Sequence, residues 1–245
     1  RDSEIWAGAA DVDSELMAWG GLPMRFVRVA ALVKRVLEWQ PGIVFFRQNT
    51  YFYPLARLMR EVPTVVEINM DDRHEFPARL EWYFVQYHWL TRSQLLTRAA
   101  GFNCVTNELA ERFAYLNKPL AVIPNGIELS QFSPLPAPHN ERPRLFFVGV
   151  GNDWHGVDRI LRMAEAAPEF DFDIVGTQRA NLPDDLPTNV QPHGFLGRDA
   201  YESVAAKADV AIGTLAFHRQ NIHEACTLKV REYLAFGLPT IVGCP

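Results

Sequence analysis

The chain has 245 residues, enough for one large domain or two ordinary ones, and 48% of them are hydrophobic, which suits a folded protein with a substantial core. Its formal net charge of −5 argues against non-specific nucleic-acid binding, which needs a basic face. The N-terminal RDSEIWAGAADVDSE has no apolar h-region, and no apolar run approaches the roughly 20 residues that span a bilayer. The three cysteines, Cys104, Cys226 and Cys244, are scattered without metal-ligand spacing and read as reduced thiols of a cytosolic protein.

In chain order, periodicity predicts a helix over 24–39, a strand over 42–46 (GIVFF), a helix over 52–60 and a strand over 64–68 (TVVEI). A long helix at 77–98 follows, then a strand at 101–105, a helix at 107–116 and a strand at 120–124. The segment SPLPAPHNERPR (133–144) breaks the pattern with proline and charge and reads as a linker. Beyond it come strands at 144–150, 172–176, 189–193, 209–215 and 240–243, alternating with helices that include 156–166, 199–207 and 227–236. Near-continuous apolar strands alternating with helices predict an α/β protein with parallel sheets covered on both faces. The expected architecture is two Rossmann-like, doubly wound domains at 1–133 and 144–245, joined by a linker at 134–143. Both ends are expected to be incomplete, because the chain begins without Met and stops directly after a strand.

Several constellations along this frame carry chemistry. EINMDDRHE (67–75) ends a buried strand with Asn69, Asp71 and Asp72, at the strand end where open α/β sheets bind ligands. Most such runs are solvated loops. In the helix 77–98, Trp82, Tyr83, Phe84, Tyr87 and Trp89 lie near Arg79, Arg92 and Arg98. That composition leaves peripheral contact with an anionic membrane surface open, although an aromatic helix packed across a domain is the simpler reading. PNGIELSQFSP (124–134) starts with the strong Asn-Gly turn signal.

GVGNDWHG (149–156) places Gly149 and Gly151 as in a dinucleotide fingerprint, but the third glycine would fall at Trp154 and the next strand ends without an acid. A turn that lets a phosphate approach the backbone and a plain tight βα turn both remain open. Arg219 is a candidate phosphate ligand, flanked by His218 and His223.

The richest stretch is NIHEACTLKVREYLAFGLPTIVG (221–243). Glu224 and Glu232 are eight residues apart, about 800° of helical rotation, so they would lie within about 80° of each other if both were helical. Residues 225–227 read more naturally as a helix entry, with Glu224 in the loop before it. The free N–H groups of a helix start favour phosphate, and carboxylates beside them suit sugar hydroxyls.

Together, PNGIELSQFSP, LFFVGV…HGVDRIL and EACTLKVREYLAFGLPTIVG resemble family-4-like glycosyltransferases of the GT-B fold, in matching order over about 100–243. The resemblance implies a sugar transferred from a nucleotide-diphosphate donor to a hydroxyl acceptor, with retained configuration, in a cleft between two domains. It implies that Glu224 holds donor sugar hydroxyls near the reacting carbon and that Glu232 binds the ribose. The N–H groups of Cys226, Thr227 and Leu228 would cradle the diphosphate, and Lys229 matches a lysine common in the family. Gly149, Gly151, His155 and Arg219 join the donor side; Asn69, Asp71 and Asp72 join the acceptor side, for a sugar or lipid-linked acceptor.

The chain departs from the family's usual residues at Val150 and His155, where basic side chains are expected, and at Ala225-Cys226-Thr227-Leu228 after the first glutamate. Lys229 and Arg219 are the preferred compensation, so no divalent metal or other cofactor is expected. The expected location is cytoplasmic, extending to the inner face of a membrane. Two rivals stay open: a nucleotide-sugar epimerase of the same fold and a non-catalytic nucleotide-sugar-binding protein.

Overall fold

A computed structural model describes residues 21–243. The opening RDSEIWAGAADVDSE and Cys244 lie outside the described residues. The first sheet contains β1 (Val44–Arg47), β2 (Thr64–Ile68), β3 (Gly101–Cys104) and β4 (Leu120–Val122), in that spatial order. β1 and β2 run parallel, from Val44 opposite Thr64 to Arg47 opposite Glu67. Helix α1 (Leu22–Trp39) has Pro23 in its first turn, where the missing N–H removes no helical bond. Its Val29 and Val33 pack with Phe52, Leu58 and Val62 around α2 (Leu55–Glu61).

The expected helix 77–98 is two helices, α3 (Asp72–Arg79) and α4 (Trp82–Arg98). Glu81 separates them in an extended conformation, with φ −56° and ψ 143°. α3 starts earlier because Asp72 and Glu75 place carboxylates in a first turn, where the helix dipole favours them. Pro77 lies inside α3 and does not start α4. After β3 comes the short α5 (Asn107–Phe113).

The second sheet is built from residues after 143. It contains β5 (Arg144–Val148), β6 (Asp171–Val175), β7 (Val190–Gly194), β8 (Val210–Ile212) and β9 (Thr240–Ile241), in the order β7-β6-β5-β8-β9. Its pairings are all parallel. Adjacent phenylalanines on β5 show why the helices cover both faces. Phe147 packs with Val157, Ile160 and Leu161 of α6 (Val157–Ala166), while Phe146 faces Ala205 of α7 (Arg198–Ala205) and Tyr233 and Phe236 at α8 (Leu228–Ala235). The strand order reverses between β5 and β8, which makes the C-terminal ends of these strands a topological switch point.

Of the described residues, 21–68, 79–103 and 114–120 form one compact unit. Residues 69–78, 104–113 and 121–243 form the other. The second unit therefore holds the second sheet together with the segments that leave β2 and β3.

Candidate functional site

The turn after β5 is held on one side by backbone and on the other by a threonine hydroxyl. The Gly149 N–H donates to the Val175 carbonyl at 2.9 Å, and the Gly149 carbonyl accepts from Thr177 Oγ1 at 2.8 Å. Gly176, at φ +85°, lies so close that a Cβ there would be 3.0 Å from the Gly149 carbonyl oxygen. Gly149 itself admits no side chain. A Cβ would stand 2.7 Å from Phe147 Cζ, 2.8 Å from Lys229 Nζ and 3.0 Å from His155 Nδ1. Gly151 (φ +80°) and Gly156 (φ +74°) carry the chain through left-handed conformations into α6.

Two polar atoms converge on this turn without hydrogen-bond partners among the described residues: Lys229 Nζ and His155 Nδ1, both buried. Burial and then the nearby Lys229 charge lower the His155 pKa to about 3, so its ring is neutral at neutral pH. Burial lowers the Lys229 pKa to about 7, against an opposing pull from Glu232. The ammonium lies 4.4 Å from the Phe147 ring centroid, where the ring's negative face attracts it. A buried amine with no partner is costly unless a counter-charge arrives. An anion set beside Nζ would supply that counter-charge.

Helix α8 delivers Lys229. Thr227 is its extended N-cap, and its first backbone N–H groups have no carbonyl one turn earlier to bond. Tyr233, one turn beyond Lys229, is fully buried. Its hydroxyl accepts the Val148 N–H at 2.9 Å and donates to the Ile212 carbonyl at 3.3 Å, tying α8 to the ends of β5 and β8. Glu232 is partly buried, which raises its pKa, and Oε2 accepts the Tyr201 hydroxyl at 3.1 Å.

Glu224 lies outside helix, in the loop that precedes α8. Its Oε2 accepts the Glu108 backbone N–H at 2.9 Å, and Oε1 accepts Asn107 Nδ2 at 3.4 Å. In return, Glu108 Oε2 accepts the N–H groups of His223 and Glu224, each at 2.8 Å. Burial pushes the Glu108 carboxyl up, but these amides and Arg112 outweigh it and hold its pKa below the ordinary value. Cys226 continues the loop: its Sγ accepts the Asn125 N–H at 3.2 Å and Arg231 Nη2 at 3.1 Å, and its carbonyl accepts Asn125 Nδ2 at 3.0 Å.

The remaining candidates fall into two groups. Asn69 exchanges amide hydrogen bonds with Asn125 at 3.2 and 3.1 Å, and the buried Asp71 receives Arg112 Nη1 at 2.6 Å. Asp72 is fully buried in the first turn of α3. Arg219 is engaged differently from the expectation. Its guanidinium donates to the Asp153 carbonyl and carboxylate at 2.8 and 2.9 Å and to both Asp158 oxygens at 2.9 and 2.8 Å. With its charge offset by two carboxylates, it brings no net positive charge to the turn. Val150 is exposed and apolar. The structure thus brings Gly149, His155 and Lys229 to one point, with Glu232 farther along the same helix as Lys229.

Residues 12–131 match the family model described as Glycosyltransferase Family 4. The chain carries a glycosyltransferase family 4 domain. Its two parallel Rossmann-like sheets are those of the GT-B fold. A glycosyltransferase from Rickettsia africae aligns with a TM-score of 0.63 at 13% identity, over 94% of this chain and 65% of its own. The pneumococcal O-GlcNAc transferase GtfA, solved with UDP and GlcNAc, aligns at 0.57 and 14%, over 89% of this chain and 45% of its own. A UDP-GlcNAc 2-epimerase from Neisseria meningitidis aligns at 0.51 and 12%, over 93% and 66%. The chain thus spans between 45% and 66% of these structures' lengths. No curated protein sequence matches it.

Among the described residues, no group of three or more His, Cys, Asp or Glu could hold a metal ion. Nor is any described helix long and apolar enough to cross a membrane. Three supporting residues carry no local sequence signal. Thr177 follows a strand like many threonines, Glu108 reads as the first turn of an ordinary helix, and Tyr233 reads as one more apolar-face residue. Their roles depend on partners 28, 116 and 85 positions away.

Proposed function

We propose that the chain belongs to a glycosyltransferase that moves a sugar from a nucleotide-diphosphate donor to a hydroxyl of a sugar or lipid-linked acceptor, with retained anomeric configuration. The observation that carries this reading is the buried, unpartnered Lys229 ammonium against the Gly149 turn, on the first turn of α8. A diphosphate set there would meet the ammonium and the helix N-terminus together. Negative charge builds on the leaving diphosphate as the glycosidic bond breaks, so fixed positive groups at that point lower the barrier. With His155 neutral and Arg219 neutralised by Asp153 and Asp158, Lys229 is the basic residue that offsets Val150 and His155.

In this reading Glu232, one turn beyond Lys229, takes the ribose hydroxyls, and Glu224 takes the sugar hydroxyls near the reacting carbon. Asn69, Asp71 and Asp72 belong to the acceptor side. The acceptor is placed in glycan or glycolipid assembly, in the cytoplasm or at the inner face of a membrane.

The test is a donor panel of UDP-, GDP- and ADP-hexoses assayed with the unmodified chain and two variants. Glu232→Ala should weaken donor binding about tenfold with a smaller change in kcat, while Glu224→Ala should lower kcat by about tenfold or more. Small, equal effects of both would sink the assignment. Nucleotide release that needs no acceptor would point to epimerisation instead.

A further inference from the structure

Glu108 and Glu224 hold each other. Each carboxylate accepts the other residue's backbone N–H, at 2.8 and 2.9 Å, so the loop before α8 and the start of α5 are joined by a reciprocal clamp. The His223 N–H donates a third bond, to the same Glu108 oxygen. Glu108 is itself fixed from behind. Arg112 Nη2 reaches its Oε1 at 2.6 Å and also donates to the Asn221 carbonyl, while Nη1 is anchored on the buried Asp71 at 2.6 Å. The chain of contacts runs from Asp71 to Arg112, which reaches the loop directly at 221 and, through Glu108, at 223 and 224.

The three bonds between Glu108 and the loop are not equivalent. If Glu224 turns its carboxylate to a ligand, its bond to the Glu108 N–H and its long contact with Asn107 Nδ2 must break. The two bonds from the loop amides to the Glu108 carboxylate do not involve the Glu224 side chain and survive. Glu108 can therefore keep the loop backbone in place while Glu224 changes partner. From this geometry we infer that Glu108, anchored by Arg112 and Asp71, is a positioning residue that sets the Glu224 loop for sugar transfer. The inference rests on the transferase reading, with Glu224 as the sugar-binding carboxylate.

Hydrogen exchange and kinetics on the full chain test it together, with the same panel of UDP-, GDP- and ADP-hexoses. In Glu108→Ala the amides of His223 and Glu224 should lose protection by about tenfold or more, since exchange reports local opening. The kcat should fall about tenfold while donor KM changes by less than about threefold, because donor phosphate and ribose contacts lie elsewhere. Glu108→Gln keeps an oxygen that accepts the loop amides and should restore most of both. Arg112→Gln loosens the anchor but leaves those amide bonds, so it should show a smaller loss of the same kind. Unchanged amide protection in Glu108→Ala, or lost protection with unchanged kcat, overturns the positioning role while leaving the transferase reading intact. Failure of the unmodified chain to bind any donor in the panel overturns the transferase reading itself, and the positioning role with it.

Discussion

At the scale of single residues, Lys229 sets the terms. Its amine titrates at about 7 in the folded chain against an ordinary value of 10.5. Below about pH 7 it is charged in both the folded and unfolded states, so the full penalty of burying the charge opposes folding. Between about 7 and 10.5 the folded state sheds the proton first, and the penalty lifts as pH rises. Lys229→Met should therefore stabilise the unliganded chain, by about 1–3 kcal/mol at pH 6 and by clearly less at pH 9. The effect on ligand binding has the opposite sign. An anion beside Nζ favours the protonated form, so nucleoside-diphosphate affinity should be greatest below about pH 7, weaken above it, and drop in Lys229→Met at every pH. Urea denaturation and calorimetric titration at pH 6 and 9 measure both. A stability difference that does not change with pH would show that this amine is not the titrating group.

At the scale of elements, α8 is placed by a hydroxyl as well as by apolar packing. Tyr233 sits in the apolar cluster with Phe146 and Phe236, while its oxygen joins the Val148 N–H and the Ile212 carbonyl. Tyr233→Phe keeps the ring and leaves a strand-end N–H without that partner, at a cost of about 1–2 kcal/mol. Because Lys229 and Glu232 are carried on the same helix, donor affinity should fall severalfold as well. Unfolding free energies and donor titration of the variant check this, and an unchanged midpoint would remove the anchoring role.

The same helix shows what sequence can and cannot convey. Its start at Thr227 and the loop position of Glu224 are legible, because periodicity begins at Leu228 and Ala225-Cys226-Thr227 does not continue it. The neutralisation of Arg219 is not legible, since Asp153 and Asp158 lie more than 60 residues away and reach it only in the folded unit. The break at Glu81 is missed for a local reason: apolar and aromatic residues run through 76–90 with nothing that marks a helix end.

At the scale of the molecule, the order of the two sheets follows from the alternation of strands and helices, and the proline-rich segment 133–144 separates them along the chain. The membership of 69–78 and 104–113 in the second compact unit does not, because it depends on non-local bonds such as Arg112 to Asp71 and Glu108 to the 223–224 amides. Those bonds join the segments leaving β2 and β3 to the loop before α8, so the proposed diphosphate site and the Glu224 loop belong to one folded unit. A ligand that bridges the Gly149 turn and α8 should then stabilise that unit as a whole. At about 100 times its dissociation constant a ligand adds about 2.7 kcal/mol. In a protein of about 150–250 residues each kcal/mol raises Tm by about 2–4 °C, so the preferred nucleotide-sugar should raise it by about 5–10 °C. Pyrophosphate alone, meeting Lys229 without the hydroxyl contacts of Glu232 and Glu224, should give a smaller shift at the same concentration. Thermal melts with pyrophosphate, each nucleoside diphosphate and each nucleotide-sugar separate these contributions. A pyrophosphate shift equal to the best nucleotide-sugar's would show that the two glutamates contribute nothing to recognition.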